Sequence, residues 1–459
     1  MPYLGNTPTT QSFISGTDYF NGTGSQTAFT LSRTVASIND IQVTVNNVVQ
    51  QPNDAYTISG TTLTMTSAPS AGTNNVYVRY LSTTTQAITP SQGTVSWRTL
   101  DSNVQGDLGI SFKNRIINGN MVIDQRNAGA SVTFDGSNKY VTDRFYGFSN
   151  VGTTTSQQST VAPSGFINSL LVTQSTGGSV VSGSYLALNQ RIEGFNVADL
   201  GWGTANAATV TISFWVRSSV TGSYSVALLN SAGNRSYVTN YTINAANTWE
   251  QKTITVAGDT SGTWLTNNGI GVVLVWNLGY GSTYTTSTLN SWLGSGAYGS
   301  TTATTSFAST TGATFYLTGV QLEVGTQATT FTTAGGSYGA ELALCQRYYY
   351  KTYNTSVVPG TSTIEGLMPL EVLADGTLTR LKPFSARLPV SMRAQPTVTT
   401  YSETGTADRI SVYNNSVTTL TVSSILGRGE NSFGSYLNTT TNASTTASYV
   451  CQFVASAEL

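Results

Sequence analysis

The chain has 459 residues, and only 9% of them are charged, against about 25% in an ordinary soluble domain. It carries no histidine, two cysteines and a formal net charge of −1. These counts exclude a Ser-His-Asp triad, an HExxH zinc site, a four-cysteine zinc site and the basic stripe that nucleic acid demands.

An apolar fraction of 39% with 10% aromatics is enough to build cores. Thr, Val and Tyr are plentiful while Leu- or Ala-rich stretches are few, which favours strands over helices. The start, Met1 to Pro8, has neither a basic nor an apolar stretch, so no secretory signal is expected. The longest apolar run, 271–276, falls far short of the ~20 residues that cross a bilayer and reads as a buried strand. Cys345 and Cys451 are expected to remain thiols in a chain folded in a cytoplasm.

Residues 1–85 read as a small β domain. Ile41-Gln-Val-Thr-Val45 alternates with period two, Asn46-Asn47 marks a turn, and 76–81 is a further strand. Tyr56-Thr-Ile58 and Leu63-Thr-Met65 flank Ser59-Gly60-Thr61-Thr62, a hairpin signal. A linker and neck span 86–113. Val95, Leu100, Val104 and Leu108 form a rough helical stripe there. Two readings stay open for it, a short coiled-coil seam on a three-fold axis or one amphipathic turn packed on a neighbouring domain.

Residues 114–333 form the largest domain, with strands at 185–188, 208–216, 224–229, 250–256 and 270–276. Short strands at this spacing suit a β-sandwich. Trp215, Trp249 and Trp276 are expected in its core. A helical connector follows at 334–351, entered at Ser337, with Leu342, Cys345 and Tyr349 at one-face spacing. A terminal β domain covers 352–459, with a hairpin signal at Ala374-Asp375-Gly376.

Six segments, at four places in the chain, carry a family resemblance. The run 38–81 resembles the N-terminal domain of many bacteriophage tail fibres. "NRIINGNMVIDQRNAGASVT" (114–133), "YVTDRFYGF" (140–148) and "FYLTGVQLEVGTQATTF" (315–331) resemble a tail-fibre sandwich akin to carbohydrate-binding jelly rolls. "ELALCQRYYYK" (341–351) and "LPVSMRAQPTVTTYSETGT" (388–406) resemble segments before and within terminal fibre domains.

The resemblance implies an all-β, multidomain, trimeric fibre with an N-terminal sandwich, a helical neck, a jelly-roll-like sandwich, a short helix and a β-sandwich tip. It implies a homotrimer that docks on a phage tail or baseplate through residues 1–85 and binds a bacterial surface glycan or outer-membrane protein distally. Such a protein resides in the virion, is assembled in host cytoplasm and is released by lysis. It further implies that 114–123 and 315–324 lie close together.

For receptor contact, the loop from Leu278 to Tyr298 combines glycines with Tyr280, Tyr284, Trp292 and Tyr298, whose flat apolar faces and polar handles suit sugar rings. Burial of the same rings against the sandwich or a neighbouring subunit is the alternative. Tyr401, Arg409, Tyr413, Asn414, Asn415 and Tyr436 are the candidates in the tip. Leu342, Cys345 and Tyr349 join the neck residues as candidates for a trimer seam.

An enzyme would have to work through carboxylates, hydroxyls or Tyr, and glycan depolymerases use paired Asp or Glu. Asp143, Glu193, Asp199, Glu250 and Glu323, and further on Glu365, Glu371, Asp375, Glu403 and Asp408, show no pairing by spacing. Binding without catalysis and without a cofactor is therefore expected, with a depolymerase or a purely structural tail part as alternatives. A structural calcium at Asp143 is weighed against an Asp143–Arg144 neighbourhood that satisfies turn backbone groups.

Overall fold

The computed structural model describes residues 16–81, 112–303, 305–370, 380–414, 416–422, 424–438 and 447–459. The chain divides into two compact units, Met1–Thr99 and Leu100–Leu459. Val95, Leu100, Val104 and Leu108, together with the neck expected around them, lie outside the described residues.

The first unit holds β1 (Thr17–Gly22), β2 (Ala28–Val35), β3 (Ile41–Val45), β4 (Val48–Val49), β5 (Tyr56–Met65) and β6 (Gly72–Tyr80). They pair as β1-β6-β3-β4 and β2-β5 around Leu31, Val43, Tyr56, Leu63 and Val78. Asn46 and Asn47 take φ of 49° and 64°, the left-handed pair that a tight hairpin turn needs, and join β3 to β4 as expected. The hairpin expected at 59–62 does not form. Chain 56–65 runs straight through as β5, and Gly60 takes φ +61° where the pairing with β2 changes register. Its glycine marks a strand irregularity, not a reversal.

The second unit opens with a β-sandwich. One sheet contains β7 (Val132–Thr133), β10 (Thr153–Ser159), β11 (Ser169–Thr176), β13 (Val210–Ser218), β16 (Glu250–Val256) and β21 (Ala313–Val324), ordered β16-β13-β21-β11-β10-β7. The other contains β8 (Lys139–Thr142), β9 (Phe145–Ser149), β12 (Leu186–Glu193), β14 (Gly222–Leu229), β15 (Ser236–Ile243), β17 (Ile270–Asn277) and β19 (Trp292–Leu293), ordered β19-β15-β14-β17-β12-β9-β8. A short parallel pair, β18 (Thr285–Thr286) and β20 (Gly299–Ser300), lies in the loop after β17. Strand alternation sends Ile212, Phe214, Leu188, Val226, Leu274 and Trp276 inward to a common core. The same alternation turns Trp215 outward and leaves it half-buried. Trp249 is half-buried against Tyr316, so of the three tryptophans expected in the core only Trp276 is fully buried.

Segment 114–123 does lie along β21, although as successive turns: Arg115 N–H donates to the Leu322 carbonyl and Val320 N–H to the Gly119 carbonyl, both at 2.9 Å. The α-helix among the described residues, α1, is Tyr338–Gln346, and the Ser337 hydroxyl caps it by accepting from Ala340 N–H. Leu342 and Cys345 pack with Ile117, Ile123 and Tyr348 of the same chain. Tyr349 lies past the helix on β22 (Tyr349–Lys351) and is buried. Cys345 and Tyr349 thus face their own unit and present no surface for a seam between subunits. Cys345 and Cys451 are both buried and unlinked, as expected.

The terminal strands are β23 (Met368–Leu370), β24 (Arg380–Arg387), β25 (Thr397–Tyr401), β26 (Arg409–Asn414), β27 (Ser416–Thr421), β28 (Ser424–Leu426), β29 (Ser432–Asn438) and β30 (Ser448–Ser456). β30 pairs with β22, β23, β25 and β26, while β24-β29-β28 form a second sheet. Met392, Ile410, Phe433, Cys451 and Phe453 fill the space between. The hairpin expected at 374–376 lies outside the described residues.

Sandwich and terminal sheets meet at a charged junction. The Glu458 carboxylate accepts from Arg126 at 2.6 Å and also from Arg144. Arg347 reaches both oxygens of buried Glu193, at 2.6 and 2.9 Å, and the Tyr348 hydroxyl donates to the same carboxylate at 2.5 Å. The Arg126 guanidinium covers the Tyr349 ring at 3.7 Å and that of Arg144 covers the Tyr348 ring at 3.5 Å. Burial works against the charge on Arg144, but the Glu458 carboxylate outweighs it and holds the guanidinium above its ordinary pKa.

Asp143 lies fully buried here. It accepts from Gln125 at 2.7 Å and faces Arg126 at 3.9 Å, so a guanidinium stands where calcium was considered. Asp143 and Arg144 do make the turn between β8 and β9, with Arg144 at φ +70°, but their side chains go to Gln125 and Glu458 and not to the backbone of that turn.

A tyrosine cleft on the seven-stranded sheet

β17 is apolar at successive positions because both of its faces are covered. Val272, Leu274 and Trp276 enter the core, while Val273 and Val275 point outward with Ala187, Ala227, Leu229 and Val238 of neighbouring strands. The loop from Leu278 to Ser300 folds over part of this outer face. Asn277 starts it: its side-chain oxygen accepts from Gly279 N–H at 2.8 Å and Tyr280 N–H at 3.0 Å, and its amide donates to Ser225 Oγ at 3.0 Å. Gly281 passes so close to the Val181 carbonyl that any Cβ would clash with it. These contacts fix the direction in which Tyr280 and Tyr284 leave the sheet.

What the loop leaves uncovered is a cleft of about 390 Å³. Its aromatic wall is Tyr146 and Phe148 from β9, Tyr185 before β12, and Tyr280, Tyr284 and Tyr298 from the loop. The rings form a continuous set, with Phe148–Tyr185 at 5.3 Å, Tyr185–Tyr284 at 6.2 Å, Tyr280–Tyr284 at 5.8 Å and Tyr280–Tyr298 at 5.9 Å. Its floor carries Asn189 and Arg191 from β12, and its far edge is the turn Asn230–Gly233.

Two buried polar atoms here have no hydrogen-bond partner among the described residues. Asn189 is 2% exposed and its Nδ2 is unpaired, as is the Tyr280 hydroxyl. An unpaired buried donor costs about 1–3 kcal/mol, so such groups invite a ligand. Burial, reinforced by the surrounding tyrosines, pushes Tyr280 well above its ordinary pKa, and burial likewise raises Tyr146. Both stay neutral hydroxyls. Among the described residues no Asp or Glu lines the cleft.

The expected contacts divide. Tyr280, Tyr284 and Tyr298 converge on the cleft. Trp292 does not: it packs against Trp202 at 5.2 Å and Trp264 at 5.3 Å, and its indole N–H donates to the Ala257 carbonyl at 2.7 Å. It is a structural residue of the sheet edge.

In the terminal sheets Tyr401 packs on Tyr353 at 6.0 Å, the Tyr413 hydroxyl bonds Glu403, and Arg409 reaches the Thr419 hydroxyl at 3.4 Å. These side chains have partners of their own chain and line none of the described clefts. Asn414 and Tyr436 are placed only as backbone in β26 and β29, and Asn415 lies outside the described residues.

Sequence reading missed Tyr146, Phe148, Tyr185, Asn189 and Arg191. The available signal was apolar side chains on both faces of β17 and β14, which requires something to cover the outer one.

No protein-family model matches the chain, and no curated protein does. Among solved structures, similarity covers 46% of this chain and 21% of a bacteriophage CBA120 tailspike protein's enzymatically active domain, at 12% identity and TM-score 0.25. The match thus spans about a fifth of that domain's length. It also resembles a putative sugar-binding protein from Bacteroides thetaiotaomicron, at 12% identity and TM-score 0.27, over 46% of this chain and all of the other. A carbohydrate-binding module solved with β-1,4-galactotriose matches at 7% identity and TM-score 0.23, over 46% and 99% of the two chains.

Proposed function

We propose that this chain is a receptor-binding protein of a bacteriophage tail and that it holds a host surface glycan in the tyrosine cleft. The observation that carries the glycan reading is the cleft itself: a tyrosine-walled concavity of about 390 Å³ with unpaired, buried donors at Asn189 and Tyr280. Its volume lies in the range of about 300–1,000 Å³ usual for ligand pockets. Tyrosine rings stack on the C–H faces of sugars, and amide and phenol groups bond sugar hydroxyls. A cleft without carboxylates supports holding a glycan rather than cleaving it.

The phage setting is supported by the order of the fibre-like segments at 38–81, 114–133, 140–148, 315–331, 341–351 and 388–406. In this reading the chain is a homotrimer, residues 1–85 dock to the tail, and the virion is assembled in the host cytoplasm and freed by lysis. Three clefts per trimer and several fibres per virion convert weak contacts into firm adsorption.

A glycan microarray probed with the purified chain tests this. A subset of bacterial surface glycans should be retained, and Tyr280→Ala or Tyr298→Ala should weaken retention about tenfold or more, which is ~1.4 kcal/mol. Retention untouched by both substitutions would place the site elsewhere.

A further inference from the structure

Gln321 and Glu323 stand two residues apart on β21 and so share a face of its sheet. Both are buried, at 0% and 1% exposure. The chain bends after β21 and brings Thr329 back to these two side chains. The Thr329 hydroxyl donates to Glu323 Oε2 at 2.7 Å and accepts from Gln321 Nε2 at 3.2 Å. Glu323 Oε1 accepts from the same Gln321 nitrogen at 2.8 Å. The Gln321 carbonyl oxygen accepts from Thr332 N–H at 2.9 Å. Lys113, from the segment that enters the sandwich, donates to Thr329 Oγ1 and lies 3.4 Å from Glu323 Oε2. Each contact has a place in acyl transfer. Thr329 is a nucleophile held on a general base, Glu323. The second oxygen of that base already meets the nitrogen that would leave. Thr332 N–H stands where charge develops on the carbonyl oxygen, and Lys113 offsets charge on the attacking one.

We infer that Thr329 and Gln321 join in an intramolecular ester cross-link. Thr329 Oγ1 bonds to the Gln321 carboxamide carbon, whose face turns to the hydroxyl about the soft Cγ–Cδ bond. The carbon–nitrogen bond breaks, Glu323 carries the hydroxyl proton to the departing nitrogen, and ammonia is released. No oxidant, reductant or further reactant enters. Fixed geometry supplies the effective concentration that a hydroxyl needs to displace an amide nitrogen. Loss of ammonia to bulk water draws the exchange forward, and burial of Gln321 and Glu323 keeps water from the product. The link pins the exit of the sandwich to β21, in a chain whose two cysteines stay unlinked.

Mass spectrometry of the purified chain tests it. The wild type should be lighter than its sequence by one ammonia. Proteolytic cleavage after Glu323 should leave the two pieces joined, and neutral hydroxylamine, which opens esters and spares amides, should part them. Thr329→Val and Glu323→Gln should each restore the full sequence mass, while Thr329→Ser, which keeps a hydroxyl, should retain the loss. Should Thr329→Val fold poorly, the wild-type mass and the hydroxylamine step still decide. A wild type of full sequence mass overturns the inference. So does a loss of ammonia that survives Thr329→Val, since it arises elsewhere in the chain. A link that resists hydroxylamine and maps to Lys113 is an amide and overturns it too.

Discussion

The tyrosine cleft and the charged junction share Arg191, whose side chain lines the one and whose carbonyl accepts from Arg144 in the other at 2.6 Å. They handle polarity in opposite ways. At the junction, Glu458 and Glu193 each serve an arginine and a further donor, and cation–π contacts cover two of the guanidinium faces. In the cleft, donors are left unpaired on an aromatic wall. A chain with so few charges therefore places a dense, compensated group of them where two β regions must be held together, and leaves unpaired neutral groups where a ligand can arrive. At the junction the buried guanidinium charges are met by a carboxylate even though Arg126 Nε, Arg144 Nε and Asp143 Oδ1 keep no hydrogen bond of their own, whereas the unpaired groups of the cleft are neutral and border open space.

Breaking the junction should have the largest effect. Glu458→Ala strands Arg126 and Arg144 without their carboxylate, and removing one partner of a buried pair costs about 3–5 kcal/mol. Denaturant unfolding should show a loss of that order, while Glu250→Ala, on the exposed edge strand β16, should cost well under half as much. Equal losses would mean that the junction does not hold the two regions together.

Asp143 offers a finer test. Burial pushes its carboxyl up to about 7 from 3.8, although Arg126 and Gln125 oppose the rise. Between these values the folded chain binds more protons than the unfolded one. The stability contributed by the protonated carboxyl is complete below about pH 4 and is lost as pH rises through 7. Wild-type stability minus that of Asp143→Asn should therefore fall from pH 4 to 7 and then level off. A flat difference would contradict the protonated state.

The smallest effect on stability is expected in the cleft. Asn189→Leu removes a donor that has no partner among the described residues, so stability should hold or rise by up to ~1 kcal/mol while glycan retention drops. A marked destabilisation would make Asn189 a structural residue.

Much of this contrast was legible in the sequence, though unevenly. Period-two patterning placed β13, β14, β16 and β17 within a few residues, and Ser337 correctly marked the start of α1. The aromatic, glycine-rich loop pointed to Tyr280, Tyr284 and Tyr298. What failed depended on tertiary pairing. Gly60 signals a reversal or a strand irregularity alike, and only its pairing with β2 decides. Trp292 looks like its tyrosine neighbours until β19 pairs with β15 and carries it to Trp202 and Trp264. Asn189 meets the loop only because β12 lies between β9 and β17, which are far from each other in the chain. The junction was invisible for the same reason: Arg126, Arg144 and Glu458 are isolated charges until residues more than 300 positions apart come together.

The most direct test is a crystal structure of the chain with a glycan taken from the microarray. The account predicts a sugar ring against Tyr280 and Tyr284, with Asn189 Nδ2 within hydrogen-bond distance of a sugar oxygen. A glycan bound instead at the terminal sheets around Tyr401 and Tyr413, with the tyrosine cleft empty, would contradict it.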